Sequence, residues 1–153
     1  MRRLLAILLC LATVADAAAQ PAAPPHAWLF GAWSGGLFPA PAHPTAESCL
    51  AQPSVIFTRD VVMRATLTDV TYQQRVVATA RVRGDRTDFT FAPAPAQSGA
   101  TDPLTGLVTA GAGAQGFGCA NPDELHVERR NNNEIVFPGC ADFPNPLVRC
   151  PGH

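Results

Sequence analysis

Residues 54–91, SVIFTRDVVMRATLTDVTYQQRVVATARVRGDRTDFTF, decide how the chain is read. Apolar side chains recur at every second position: Phe57, Val61, Met63, Ala65 and Leu67, then Val76, Ala78, Ala80 and Val82, then Phe89 and Phe91. Successive side chains of a strand point to opposite faces, so this alternation predicts half-buried β-strands. The other parity carries Arg64, Thr66, Thr68, Arg75, Thr79, Arg81, Arg83 and Thr90, which predicts a polar, arginine-rich face. Turns are expected at Arg59-Asp60 and Gly84-Asp85. One rival competes within the stretch. Tyr72, Val76 and Ala80 also have helical spacing, with Asp69 as an N-cap, so residues 69–80 have a helical alternative. The β-branched Val76, Val77, Thr79 and Val82 favour strand over helix.

Outward from that ribbon, the signals stay β. Residues 28–38, WLFGAWSGGLF, read as a first strand whose glycines permit a bend. Residues 39–53 form a proline-interrupted loop holding Cys49. Residues 92–116 are low-complexity Gly, Ala and Pro, longer than most loops of compact domains. Residues 125–130 and 134–137 flank Asn131-Asn132-Asn133 as a hairpin, with Leu125, Val127, Ile135 and Phe137 on its apolar side. The tail CADFPNPLVRCPGH is too rich in proline for a central strand. The expected fold is mainly β, a small antiparallel barrel or sandwich stapled by two disulfides.

The N-terminus points to export. Arg2 and Arg3 precede an apolar run from Leu4 to Val14, and Ala17-Ala18-Ala19 offers a cleavage site. A leader over 1–19 leaves about 134 of the 153 residues, a flexible lead-in at 20–27 and a single domain over 28–153. The apolar run is too short to span a bilayer. Removing Arg2, Arg3 and Asp16 from eleven basic and twelve acidic residues leaves nine against eleven. That near-neutral balance gives no pointer to nucleic acid or an anionic membrane.

Cys49, Cys119, Cys140 and Cys150 remain after the leader, an even number that in an exported chain reads as two disulfides. Of the three connectivities, Cys140–Cys150 with Cys49–Cys119 is favoured, because the first pair closes a short proline loop. No CxxC pair or histidine at ligand spacing supports zinc, and no cofactor is expected.

Chemical candidates are sparse. His26, His43, His126 and His153 lack a flanking nucleophile or orienting acid, and no serine sits in a GxSxG elbow. His126, between Leu125 and Val127, is expected to point to solvent. Arg64, Arg75, Arg81 and Arg83 are expected to share one sheet face, with Arg86 nearby. Such a ladder would grip an anionic ligand, or would pair with Asp69, Asp85, Asp88 and the acidic segment 123–134. Trp28, Trp33 and Phe38 are the candidates for an apolar pocket.

Gly31-Ala32-Trp33 followed by Gly35-Gly36 resembles the Gly-x-Trp opening of lipocalin-like barrels, in which the Trp closes one end. That group includes periplasmic inhibitors of secreted metalloproteases, which insert an extended N-terminal segment into the protease cleft. With no catalytic set beside strong strand and disulfide signals, the expected function is that of an exported, non-enzymatic β-domain binding a small ligand or a protein partner. A protease inhibitor acting through its N-terminal arm is the first alternative, and a hydrolase with an unrecognised site the second.

Overall fold

The computed structural model describes residues 22–51, 54–66, 72–93 and 116–152. Eight antiparallel strands form a closed up-and-down barrel: β1 (Gly31–Gly35), β2 (Ser54–Phe57), β3 (Val61–Ala65), β4 (Gln73–Arg83), β5 (Arg86–Phe91), β6 (Glu124–Asn131), β7 (Glu134–Val136) and β8 (Leu147–Arg149). A 3-10 turn over Ala27–Leu29 precedes β1, and a short helix, α1 (Ala46–Ala51), precedes β2. Each strand pairs with its chain neighbours, and β8 returns to β1 through Trp33↔Arg149 and Gly35↔Leu147. The barrel and the presence of two disulfides are as expected, though not which cysteines pair, and residues 73–80 are strand, not helix. The start of the helical alternative, 69–71, the expected leader 1–19 and nearly all of 92–116 lie outside the described residues.

The chain departs from the expected alternation inside the ribbon that defines the fold. In β3 the inward positions are Val62 and Arg64, while Val61, Met63 and Ala65 are half-buried. In β4 Arg75 is inward and Val76 is 55 % exposed. A bulge between Val77 and Thr79 then reverses the parity. One extra residue on one strand of a pair turns every later side chain to the other face. Beyond it Ala80 lies opposite the buried Phe89 and Val82 opposite the buried Thr87, while Arg81 and Arg83 face outward. The four arginines therefore do not share a face: two are inside and two outside.

The core runs the length of the barrel. Leu29, Trp33, Val55, Phe57, Val62, Phe89, Leu125, Val127, Ile135 and Leu147 are buried from the sheet and its cap. Phe91, Phe117, Phe137 and Phe143 extend the core at the other end through stacked, tilted and edge-on ring contacts. The interior is occupied by side chains, as in small barrels generally.

Cys49 pairs with Cys150 and Cys119 with Cys140. The favoured connectivity is thus corrected. Proximity in sequence pointed to Cys140–Cys150, but β8 separates those residues and carries Cys150 toward β1, where its amide donates to the carbonyl of Ala32. The expectation for the tail is corrected too. Three residues, Leu147–Arg149, fit between prolines and close the sheet. Within 39–53, α1 supplies regular structure where only loop was expected.

Candidate functional site

Three polar assemblies hold the chemically active side chains, and strand register positions each of them. The first lies inside the barrel, at the end covered by the segments 116–123 and 138–146. The Arg64 guanidinium donates to Asp142 over 2.6 Å. Arg75 donates to the Asp123 carboxylate over 2.5 Å and to the Pro122 carbonyl over 2.7 Å, with its guanidinium 5.1 Å from the centre of the Phe91 ring. Both arginines are almost wholly buried. Their carboxylate partners and aromatic packing make them a structural seal, so neither is free to bind an external anion.

The second assembly closes the opposite end. Trp33 is fully buried and its indole N–H donates to the carbonyl of Leu29 over 2.8 Å. Arg149 lies with its guanidinium carbon 4.2 Å from the centre of the Trp33 ring and donates to the carbonyls of Phe30 and Trp28. Burial, reinforced by the positive charge of Arg129, pushes the pKa of Arg149 down from its ordinary value. Arg129 stacks on Trp28 at 3.9 Å, and Trp28 donates to the Thr87 hydroxyl. His26 plugs the same end, packed edge-on against Phe30 and Phe89. Its Nε2 lies 3.0 Å from the carbonyl of Arg59 and 3.3 Å from that of Thr58. Two acceptors around one ring nitrogen assign the proton to Nε2. The lead-in is therefore packed at its root, and among its described residues Ala22, Ala23 and Pro25 are exposed.

Trp28, Trp33 and Phe38 do not share a pocket. Trp33 belongs to the core, Trp28 is half-buried under Arg129, and Phe38, three residues past the end of β1, is 50 % exposed. Two hollows among the described residues open instead on the outer surface. One of about 560 Å³ is lined by Glu128, Arg130, Val136 and the 137–146 segment. Another of about 490 Å³ lies between His43-Pro44 and the β7–β8 side.

The third assembly is the outer face of β4, β5 and β6, and it is the candidate site. Register lines its side chains into cross-strand rows: Thr79, Thr90 and Glu124; Arg81, Asp88 and His126; Arg83, Arg86 and Glu128. The first two rows and Arg83 border a cavity of about 200 Å³. Asp88 Oδ1 accepts from Arg86 Nε at 2.6 Å and from His126 Nδ1 at 2.7 Å. Partial desolvation pushes the Asp88 carboxyl up, but the hydrogen bonds and positive charge of Arg86 and His126 outweigh it and hold the group below its ordinary value. Among the described residues Arg81 and Arg83 have no ion-pair partner. The outward position expected for His126 is the observed one, but its pairing with Asp88 and Arg86 was not legible, because it depends on register across β5 and β6.

An oriented imidazole is part of what the hydrolase alternative requires. A nucleophile is the other part, and among the described residues no hydroxyl or thiol donates to His126. Ser54 is engaged with Tyr72, Ser34 is buried, and the four cysteines described are in disulfides. No cluster of metal-ligating side chains is found among the described residues, and no helix there is long and apolar enough to cross a membrane. In comparisons with known proteins the chain matches no family model, no curated protein and no solved structure.

Proposed function

We propose that this chain is an exported, non-enzymatic binding protein that acts through its outer surface, with a protein as its partner. The observation that carries this reading is the filled interior: Trp33, Phe57, Phe89, Leu125 and Ile135 occupy the space in which a barrel would hold a small ligand. Two disulfides and an apolar leader pattern at 1–19 support export. The test is native mass spectrometry of the mature protein recovered from its own periplasmic extract, alongside cross-linking in the same extract. The expected mass is that of the polypeptide alone, with cross-links to a protein. A small molecule retained at one equivalent would overturn the reading.

Inhibition of a secreted protease through the N-terminal arm is the second reading, within the resemblance to lipocalin-like barrels carried by Gly31-Ala32-Trp33. It is favoured by the arm's geometry: His26 anchors the root, Arg59 donates to the Ala22 carbonyl, and Ala22, Ala23 and Pro25 before the anchor are exposed. Because His26 belongs to the barrel plug, the informative truncation stops at residue 23. Undiminished inhibition of a co-secreted metalloprotease by that truncated protein, or no inhibition by the intact one, removes this reading.

A further inference from the structure

β4 is longer than the strand beside it. Its pairing with β3 ends at Val61↔Val76, and the Asp60 carbonyl takes the Val77 amide as β3 turns away. Residues 78–83 continue in register with β5 alone. Among the described residues nothing pairs with their other edge. The two-residue turn Gly84-Asp85 makes Arg83↔Arg86 a hydrogen-bonded pair, and bonding alternates along an antiparallel ladder. The backbone groups of Arg81 and Arg83 therefore serve β5, while those of Ala80 and Val82 point away from the sheet. A row of unpaired N–H and C=O groups is a template for another strand.

The side chains beside this edge state what it accepts. Arg81 and Arg83 stand on its outer face, exposed and without a carboxylate partner among the described residues. On the inner face Ala80 is half-buried and Val82 is 38 % exposed, leaving room for small apolar side chains. A second copy of the chain, added edge to edge, would bring Arg81 and Arg83 against their own equivalents, and like charges directly opposite destabilise a strand pair. An incoming strand with acidic residues alternating with apolar ones meets both faces correctly. We propose that residues 78–83 of β4 capture an extended segment of a partner protein, adding it to the sheet as a further strand whose acidic side chains pair with Arg81 and Arg83. This rests on the reading of the protein as a surface-binding module and names where and what it binds.

The experiment uses the oxidised mature protein and short synthetic peptides that alternate glutamate with valine. Controls are the same peptides with lysine for glutamate, and with N-methyl groups on alternate backbone amides. Titration followed by amide NMR is expected to shift Ala80 and Val82, and the glutamate peptide is expected to bind at least about tenfold more tightly than the lysine one. N-methylation on the pairing edge is expected to abolish binding, because it removes the backbone donors. Arg81→Glu with Arg83→Glu is expected to reverse the charge preference. Ala80→Pro is expected to remove binding; the N-methylated peptide, tested on the unaltered protein, reads the same backbone pairing without risk to the fold. No binding, binding indifferent to N-methylation, or shifts confined to residues away from β4 would overturn the proposal. Peptide capture by protein truncated to residue 24 is expected to be unchanged, which separates this site from one on the N-terminal arm.

Discussion

Arg75 donates to Asp123 over 2.5 Å from a position 2 % exposed, while the aspartate is itself 49 % exposed. The two partners of this ion pair therefore stand in different media, and the pair is asymmetric. Removing the carboxylate strands a buried cation, whereas removing the guanidinium leaves an acid that water can reach. Asp123→Ala is expected to destabilise the barrel by about 2–4 kcal/mol, and Arg75→Met by about 1 kcal/mol or less. Urea unfolding of the two variants decides the order. If Arg75→Met were the worse, the arginine would be contributing through something other than its charge pair.

The stack of Arg149 on Trp33 predicts an effect that charge alone does not explain. The guanidinium covers the indole and reaches the carbonyls of Trp28, in the 3-10 turn, and Phe30, just after it, at once, a fork that an ammonium group does not reproduce. Arg149→Lys is expected to cost about 1–3 kcal/mol in spite of the retained charge. Trp33 fluorescence is expected to change with it. An unaltered melting curve and spectrum would show that the stack is not holding the end of the barrel.

The two disulfides differ in the length of chain they close, 101 residues for Cys49–Cys150 and 21 for Cys119–Cys140. Chain-entropy reasoning assigns them about 5 and about 3 kcal/mol respectively. Serine replacement of the first pair is expected to lower the melting temperature more than replacement of the second, and reduction of both by well over about 10 °C. Peptide mapping without reductant checks the pairing directly. Recovery of a Cys140–Cys150 peptide would contradict it.

Asp88 supplies a pH dependence. Its carboxyl is held below its ordinary value in the folded barrel, so the folded state binds its proton more weakly than the unfolded chain does. The stabilisation is present above the unfolded carboxyl pKa, and is lost as pH falls through the lower folded value, below about pH 4. The melting temperature of Asp88→Asn is expected to lie below that of the parent protein at pH 6–7, and the gap is expected to close in acid. A gap that stays constant down to about pH 2 would assign the difference to packing instead.

The barrel itself was legible because alternation survives in β2, β5, β6 and β7, where Phe57, Phe89, Phe91, Leu125, Val127 and Ile135 are inward in the observed structure. The inversion in β3 and the first half of β4 was not. Val61, Met63 and Val76 look like core residues in sequence, and Arg64 and Arg75 look like surface ones. The assignment reverses because Asp142 and Asp123, far along the chain, supply the partners that make two buried arginines tolerable. The bulge at Val77/Thr79 left no mark in composition, since neither glycine nor proline is needed there. β8 was hidden by its length and by flanking prolines. The Arg81–Asp88–His126 row was out of reach for a third reason: register is a relation between strands, and a single strand does not contain it.

The seam between β1 and β8 carries a consequence for how the protein is made. Strands that meet at Trp33↔Arg149 are separated by more than a hundred residues, whereas every other pairing in the barrel joins neighbours along the chain. The hairpins β2–β3, β4–β5 and β6–β7 can form from local sequence as it emerges, but the seam waits for Leu147–Arg149. Loop closure of that length carries the largest entropy cost of any pairing in the barrel, so the seam is expected to seal last, after a sheet with two open edges. During that interval β1 and β8 are as available to a stranger as to each other.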